Sequence, residues 1–236
     1  MGYRNQQLLR LYGVTQIPET KEYFMVMQYA NKGSLLSYLD QNIKLTWTKK
    51  LWRLNVITEH LRTIHYMGLV CCNLHGGNII LHDNTLFICD LGLSRSVNSC
   101  KSSPTIQGVL PFIAPEVFHT RKFTRKSDVY SFGIIMYLVA TGEQPFRDRQ
   151  FDASLIREIM DGLRPSMPDS APEEYKTLAK QCCDADSERP NAKTLIQVID
   201  RLIKKIDTSK DDSIDKSWSA IYFNEHKTFL MSQEGE

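Results

Sequence analysis

One continuous stretch, residues 69–94, restricts the fold more than any other part of the chain, and it reads LVCCNLHGGNIILHDNTLFICDLGLS. Two short apolar runs on either side of the polar residues 82–84 are typical of a β-hairpin. Asn78 stands just before the first run, and Asp90 stands just after the second. Because carboxylate and amide oxygens are good ligands for hard divalent cations, this stretch favours a metal held beside a phosphate.

Neither of these residues is strong evidence alone, because an Asp near a Gly usually forms a turn and an Asn beside glycine usually bonds a loop. The spacing is more informative. Asn73 and Asn78 have the interval of a D-x-x-x-x-N loop, a hairpin follows, and Asp90 opens a D-x-G triplet. The triplet APE at residues 114–116 closes the next loop. This order is typical of phosphoryl transfer from a nucleotide.

Most of the remaining chain has helical periodicity. Apolar residues recur at three- and four-residue steps from Leu51 to Ile64, and Thr46 is the predicted N-cap. Residues 127–141 are apolar nearly all round, which predicts a buried central helix. Further amphipathic helices are predicted over residues 152–161, 172–183 and 191–206.

The other segments are less regular. Before residue 30, the runs LLRLYGVT and EYFMVMQYA are separated by a polar turn and predict a hairpin, so the fold class is α+β. The Ser-rich stretch 94–104 predicts a surface loop. From residue 207 onward the periodicity is lost, which predicts a tail.

The charge balance excludes some classes of partner. The chain has 29 Lys and Arg against 27 Asp and Glu, so we expect binding neither to nucleic acid nor to an anionic membrane. The longest apolar run, YSFGIIMYLVA, falls short of the roughly 20 residues of a membrane helix. The first ten residues lack an apolar signal core. We expect a soluble protein in the cytoplasm or nucleus, and of these two compartments we predict the cytoplasm.

The six cysteines include two adjacent pairs, at residues 71–72 and 182–183, and no C-x-x-C spacing. That pattern fits neither a zinc site nor a secreted disulfide framework. We predict free and mostly buried thiols.

Taken together, these motifs resemble a eukaryotic protein kinase, with most similarity to the tyrosine-kinase-like group. The resemblance runs from about residue 5 to residue 206. It implies a mostly helical large lobe and a truncated β remnant of the small lobe. We predict the remnant and hinge start over residues 1–29, the large lobe over 30–206 and the tail over 207–236.

The resemblance also implies roles for individual residues. Asn78 and Asp90 would bind magnesium, and Asp128 would anchor the catalytic loop by accepting backbone N–H bonds. Arg189 would pair with Glu116 as a structural tie. The ATP pocket would be formed by Met27 as gatekeeper, by hinge backbone groups of Gln28 and Ala30, and by Ile80 as floor.

The departures from the family pattern bear on mechanism. The family's His-Arg-Asp triplet is Cys71, Cys72 and Asn73 here, so an amide stands at the base position. An amide is neutral at ordinary pH and cannot take the proton of a substrate hydroxyl. Cys72 also removes the arginine that would pair with a phosphorylated loop. His75 replaces the lysine of many serine/threonine kinases, and Leu91 replaces the usual phenylalanine.

The small-lobe elements that cover a nucleotide are not found before Gly13. The twelve glycines contain no G-x-G-x-x-G, and Lys21 lies in a predicted turn rather than in a nucleotide-binding strand. We therefore expect the chain to begin inside the small lobe and to bind ATP and magnesium weakly.

These observations leave three hypotheses. The first is an ATP-dependent protein kinase, with a lean towards serine and threonine in protein substrates, whose catalysis is impaired by Asn73. The alternative is a pseudokinase that acts as a protein-binding scaffold in signalling. The third, an unrelated helical interaction domain with chance motifs, would need helices unlike those predicted. The oligomeric state is not predicted.

Overall fold

A computed structural model describes residues 9–41, 45–83, 85–97 and 105–207, and every element below lies in those ranges. The strands are β1 Leu11–Gln16, β2 Tyr23–Met27, β3 Leu69–Val70, β4 Ile79–His82, β5 Thr85–Ile88 and β6 Arg95–Ser96. The helices are α1 Leu35–Gln41, α2 Trp47–Tyr66, α3 Pro115–Thr120, α4 Arg125–Thr141, α5 Ala153–Met160, α6 Glu173–Cys183 and α7 Ala192–Asp207. Within these ranges three two-stranded antiparallel sheets accompany a mainly helical body, so the α+β class is confirmed.

The predicted amino-terminal hairpin is confirmed. β1 and β2 pair antiparallel, with Val14 opposite Met25 and Gln16 opposite Tyr23. Lys21 lies in the turn between them with a φ of +62°. The side chains of the hairpin are largely exposed, including Tyr23 at 74% and Met25 at 68%. The hairpin therefore contributes little to the hydrophobic core, which begins at α1.

Helix α2 forms where the apolar periodicity predicts it. Thr46 caps the helix by accepting the backbone N–H of Lys49 at 3.4 Å. The helix ends at Tyr66, and Gly68 turns the chain with a φ of +75°, a conformation that glycine adopts without steric cost. Its core-facing side chains are fully buried: Leu51, Leu54, Ile57 and Leu61.

Helix α4 is the buried central helix. It begins at Arg125, two residues before the predicted start, because Thr124 rather than a later residue forms the cap. The N–H of Ser127 donates to Thr124 Oγ1 at 3.1 Å, and the N–H of Thr124 donates to Ser127 Oγ at 2.8 Å. This reciprocal pair is a capping box. Helix α6 packs on α4, and α7 packs on α2.

The three amphipathic helices predicted downstream are confirmed as α5, α6 and α7. Each helix begins and ends within one residue of its predicted limits. Asp152 and Asn191 are caps rather than helical residues. The carboxylate of Asp152 accepts the N–H of Ser154 at 2.9 Å, and the amide oxygen of Asn191 accepts that of Thr194 at 2.9 Å. Among the described helices, none combines the length and apolar character needed to cross a membrane.

The predicted surface loop is corrected at its start. Residues 95–96 form β6, which pairs with β3 so that Ser96 lies opposite Leu69. A strand of two residues is too short to produce an alternating hydrophobic pattern, so the sequence did not predict it. The rest of that loop, 98–104, and residues 208–236 of the predicted tail lie outside the described residues.

The second predicted hairpin is also confirmed and positions the site. β4 and β5 pair with Ile79 opposite Ile88. The N–H of Leu81 donates to the carbonyl of Gly33 at 2.8 Å, which ties this hairpin to the segment that leads into α1. The segment after β2 and the hairpin thus lie side by side.

Candidate active site

Asp90 is held in an uncommon backbone conformation at the end of β5. Its φ is +54°, a value that few residues other than glycine adopt. The N–H of Cys89 donates to the carbonyl of Asn78 at 2.8 Å and closes the hairpin immediately before Asp90. A short 3₁₀ turn, Leu91–Leu93, follows. Backbone strain of this kind is found at functional sites, where the surrounding structure imposes it.

The two predicted metal-binding residues are brought together. Asn78 Nδ2 donates to the carbonyl of Asn73 at 3.1 Å and to Asp90 Oδ2 at 3.4 Å. Because the amide nitrogen is turned towards these acceptors, the amide oxygen of Asn78 is left for another partner. One carboxylate and one amide oxygen therefore lie at the same end of the hairpin.

Asn73 lies beside the same carboxylate. Its Nδ2 donates to Asp90 Oδ2 at 3.5 Å, which is long for a hydrogen bond. Its Oδ1 is buried and has no hydrogen-bond partner among the described residues. Gly108 covers this oxygen, since a Cβ built on Gly108 would lie 3.5 Å from it, and Gly108 has a φ of +139°. An amide oxygen at this position is thus shielded by the loop that precedes α3.

Asp128 anchors the segment that leads to Asn73. Its carboxylate accepts the N–H of Cys71 at 2.8 Å and that of Cys72 at 3.1 Å, which confirms the role predicted for it. It also bonds His65 Nε2 at 2.9 Å, a contact that the sequence did not indicate. Cys72 has a φ of +64°, so the anchored backbone turns sharply just before Asn73.

The predicted ion pair between Arg189 and Glu116 is confirmed. Arg189 Nη1 and Nη2 donate to the two oxygens of Glu116 at 2.6 and 2.8 Å, a bidentate geometry. The Arg189 guanidinium is buried, donates to the carbonyl of Asp184 at 2.9 Å and lies over the ring of Tyr130. The pair connects α3 to the segment before α7.

A family model described as protein tyrosine and serine/threonine kinase matches residues 1–199. The chain belongs to the protein kinase family. It is 28% identical over 204 residues to RGS domain-containing serine/threonine-protein kinase A of Dictyostelium discoideum, an alignment that covers 85% of the chain and 18% of that protein. The anchors described above are therefore those of a kinase domain.

Other relatives include both classes of kinase. Stress-activated protein kinase alpha of Dictyostelium discoideum is 28% identical, with 85% of this chain and 33% of that protein covered. Ephrin type-B receptor 5 of Gallus gallus is 29% identical, with 86% of this chain and 21% of that protein covered. The chain spans from 12% to 33% of the length of these and similar curated relatives.

The residues predicted to form the hinge, Gln28 and Ala30, each have one backbone group without a partner among the described residues. Gln28 uses its N–H to bond the carbonyl of Arg10 at 2.8 Å, and Ala30 uses its carbonyl to accept from Gly33 at 3.4 Å. Among the described residues, no partner engages the carbonyl of Gln28 or the N–H of Ala30. Met27 ends β2 and is 40% exposed. Their predicted contact with adenine stays a prediction.

Ile80, the predicted floor of the pocket, lies in β4 opposite Phe87 and forms a bridge with Ser34. It is half-buried. This places it next to the segment that follows the hinge, and its role as pocket floor also stays a prediction.

Asn78 and Asp90 provide too few ligands to fill the coordination shell of a metal ion. A metal bound here would therefore take its other ligands from phosphate and water. Among the described residues no cluster of three or more His, Cys, Asp or Glu side chains is suited to hold a metal. Asp90 and Asn78 supply hard oxygen ligands of the type that magnesium takes when phosphate oxygens and water complete its shell. The residues present therefore fit magnesium bound together with a nucleotide.

Two cysteines near the site, Cys71 and Cys89, are not activated. The cysteines in the described residues are free thiols, as predicted: Cys71, Cys72, Cys89, Cys182 and Cys183. Burial raises the pKa of Cys71, and the nearby carboxylate of Asp128 raises it further. Burial and then Asp90 likewise raise the pKa of Cys89. A thiol with a raised pKa is a poor nucleophile at neutral pH.

His75 lies in the loop between Asn73 and Asn78. From the sequence it was noted only because it replaces the lysine found in many serine/threonine kinases. Its Nδ1 accepts the N–H of Gly77 at 3.1 Å, and its ring lies 6.0 Å from that of Phe112. Burial lowers the pKa of His75, and the Asp90 carboxylate opposes that shift. The net lowering of the pKa favours the neutral imidazole.

Proposed function

We propose that this kinase domain transfers phosphate to proteins very slowly or not at all, because Asn73 occupies the position of the catalytic base. The neutral amide has no basic lone pair that can take the proton of a serine or threonine hydroxyl. A positioned general base contributes about 10²- to 10⁴-fold to such reactions. The amide at position 73 is the observation that carries the proposal.

The surroundings of Asn73 support the same conclusion. Its Oδ1 is buried beneath Gly108, so in this conformation a substrate hydroxyl does not reach it. Its Nδ2 faces Asp90, so the donor side of the amide points towards the metal-binding carboxylate. Transfer would require the loop at Gly108 to move and a different group to take the proton.

The rest of the site is compatible with weak nucleotide binding. Asn78 and Asp90 would hold magnesium, which when bound neutralises the charge of nucleotide phosphates. The Gln28 carbonyl and the Ala30 N–H would receive the adenine. We expect ATP affinity weaker than micromolar, which calorimetry with ATP and magnesium measures.

The test of impaired transfer is restoration of the carboxylate. The wild-type chain should incorporate no more radiolabelled phosphate into an acceptor protein than an Asp90→Asn variant does. Asn73→Asp should raise incorporation by about 10²-fold or more, and the double variant Asn73→Asp with Asp90→Asn should lose that gain. Rapid incorporation by purified wild-type protein would contradict the proposal.

A second candidate function is a pseudokinase scaffold for signalling partners. The observation in its favour is that the structural ties of a kinase domain are kept while the base is lost, as in the bidentate Arg189–Glu116 pair and the Asp128 anchor. A scaffold should tolerate Asp90→Asn without loss of its cellular function. An enzyme should lose its function with the same change.

A further inference from the structure

A cavity of about 630 Å³ lies between α4, α5 and α6. None of the residues proposed to hold magnesium or nucleotide lines it. Its volume falls within the range of cavities that hold small-molecule ligands. Much of its wall is apolar and comes from six residues: Ile134, Tyr137, Met160, Met167, Ala179 and Cys183. We call this space the α4–α6 cavity.

Arg164, in the segment between α5 and α6, contributes a guanidinium to the wall of the cavity. Its Nη1 donates to the carbonyls of Ile159 and Leu163, each at 2.7 Å. Its Nε donates to the carbonyl of Cys183 at 3.2 Å, and its Cζ lies 5.1 Å from the centre of the Tyr130 ring. The guanidinium is thus fixed in orientation, so it loses little conformational entropy when it binds a ligand.

The charge of Arg164 is not neutralised within the described part of the chain. No carboxylate there bonds it, and its three hydrogen-bond partners are neutral carbonyls. Its Nη2 has no partner among the same residues and is not one of the buried unpartnered atoms. This nitrogen is therefore accessible to a ligand. A guanidinium in this state is a suitable donor for a carboxylate, whose oxygens accept strong charge-assisted hydrogen bonds.

The other charges around the cavity favour an anion with a single charge. Glu116 is paired with Arg189, and Lys176 bonds a carboxylate of its own helix at 2.8 Å. Three exposed charged residues also line the cavity: Lys180, Asp184 and Asp186. Exposed charges are screened by water and salt, so they act on a bound group more weakly than Arg164 does. The two aspartates nevertheless oppose a dianion.

We propose that the α4–α6 cavity binds a small apolar monocarboxylate, whose carboxylate accepts from Arg164 Nη2 and whose hydrocarbon body lies against Met160 and Met167. The apolar wall favours the hydrocarbon body because burial removes it from water. Methionine side chains are flexible and polarisable, so these two adapt to hydrocarbon bodies of different shape. Neither a nucleotide nor the residue at position 73 takes part, so this inference is independent of the proposed function.

The first measurement uses methyl NMR of the full chain with isotopically labelled methionine, and sodium decanoate as the probe. The signals of Met160 and Met167 are assigned with the variants Met160→Leu and Met167→Leu. We expect both signals to shift saturably below the micellar concentration of decanoate. Met25, which is 68% exposed in the amino-terminal hairpin, is the control and should not shift. No shift at Met160 and Met167, or an equal shift at Met25, would overturn the inference.

The second measurement compares ligands by the same titration. Decanol has the same chain without the charge, so it should bind about tenfold more weakly than decanoate. Octanoate has a shorter chain and should also bind roughly tenfold more weakly, because it buries fewer methylene groups. Decyl phosphate carries a second charge, which Asp184 and Asp186 oppose, so it should bind more weakly as well. If decanol or decyl phosphate binds as tightly as decanoate, the cavity does not select a monocarboxylate and the inference is wrong.

The third measurement blocks the cavity without changing Arg164. Cys183→Phe places a ring in the cavity and keeps the backbone carbonyl that Arg164 bonds, so it should abolish the decanoate shifts. Cys183→Ser has nearly the original volume and is the matched control, which should bind within about twofold of the wild type. Decanoate should raise the midpoint of thermal unfolding for the wild type and Cys183→Ser but not for Cys183→Phe. Unchanged binding by folded Cys183→Phe would contradict the inference.

Arg164→Gln tests the contact with the carboxylate itself. It should weaken decanoate binding about tenfold and leave decanol binding unchanged, because only the charged group loses its partner. Arg164→Lys, which keeps the charge, should restore much of the preference for decanoate. Circular dichroism checks that both variants are folded, and the comparison of ligands on the wild type decides the question if they are not. A preference for decanoate over decanol that is unchanged in folded Arg164→Gln would contradict the inference.

Discussion

Two carboxylates in this kinase domain are held very differently. Asp128 accepts two backbone N–H groups at 2.8 and 3.1 Å and a histidine at 2.9 Å, and it is buried. Among the described residues, Asp90 receives only two side-chain amides, at 3.4 and 3.5 Å, and its backbone is strained. The first arrangement is complete within the protein. The second has the loose geometry of a site whose ligands come from outside.

The difference between Asp128 and Asp90 indicates that folding and catalysis place separate requirements on the residues of this region. The fold requires Asp128 and the Arg189–Glu116 pair, since each satisfies buried polar groups that would otherwise be costly. Stability does not require a carboxylate at position 73, and the amide there leaves the fold intact. Under the proposed function, phosphoryl transfer would be lost and the fold retained through a change at a single side chain, and stability measurements can test this division.

The largest effect is expected at the anchor. Asp128→Asn places an amide nitrogen against N–H donors and should lower the free energy of unfolding by about 3–5 kcal/mol. Chemical denaturation monitored by circular dichroism measures this change. Asp40→Asn, at an exposed position of α1, serves as the matched control and should change stability by less than about 0.5 kcal/mol. A similar small effect at position 128 would erase the contrast between the two carboxylates.

The second effect is a pH dependence of the helical body rather than of the site. His60 is buried in α2, its Nδ1 has no partner among the described residues, and burial lowers its pKa to about 4. The unfolded chain binds a proton near pH 6.5 but the folded chain does not, so stability falls as the pH drops from about 6.5 to about 4. The loss contributed by this histidine should be about 3 kcal/mol.

Denaturation curves at pH 7, 5.5 and 4.5 test the acid sensitivity. His60→Phe keeps a ring beside Phe87 but cannot bind a proton. In this variant the free energy of unfolding should fall less steeply as the pH drops. If the slope is the same in the variant, carboxylates rather than His60 cause the acid loss.

The third effect concerns the site itself. Asn73→Asp would place a second carboxylate next to Asp90, whose Oδ2 lies 3.5 Å from the present amide nitrogen. Without a cation, repulsion between the two should destabilise the fold by about 1–2 kcal/mol. Millimolar magnesium should restore part of that stability in the variant and change the wild type less. Thermal unfolding with and without magnesium measures both responses.

The interpretation depends on Asp90, so the double variant Asn73→Asp with Asp90→Asn is the control. Removing the second charge should abolish both the destabilisation and the response to magnesium. A magnesium response that persists in the double variant would place the cation elsewhere.

Much of this contrast could be predicted from local patterns. The stripe of α2 and the cap at Thr46 follow from a period of 3.6 and from capping chemistry, which act within a few residues. The approach of Asn73, Asn78 and Asp90 follows from their order around a short hairpin. These features need no knowledge of distant packing.

The features that escaped prediction arise between segments far apart in sequence. The bond from His65 to Asp128 joins two helices, and β3 pairs with β6 across the whole catalytic loop. The cover that Gly108 forms over Asn73 Oδ1 depends on how the loop before α3 returns to the site. Because the residue types involved are ordinary, only their spatial arrangement reveals them.

The smallest loss of stability is expected from substitution of Asn78, which belongs to the candidate site and not to the structural anchor at Asp128. Its amide donates at 3.1 and 3.4 Å at a half-buried position, so Asn78→Ala should cost only about 0.5–1 kcal/mol of stability. Asn31→Ala is the control, because Asn31 also links two segments of the chain: its Nδ2 donates to Asp83 Oδ1 at 2.8 Å, and its Oδ1 accepts the N–H of Asp83 at 2.8 Å. We expect Asn31→Ala to cost at least as much by denaturation, although Asn31 lies outside the site. A loss above about 2 kcal/mol at position 78 would show that this amide supports the fold as Asp128 does, and the separation of chemistry from stability would fail.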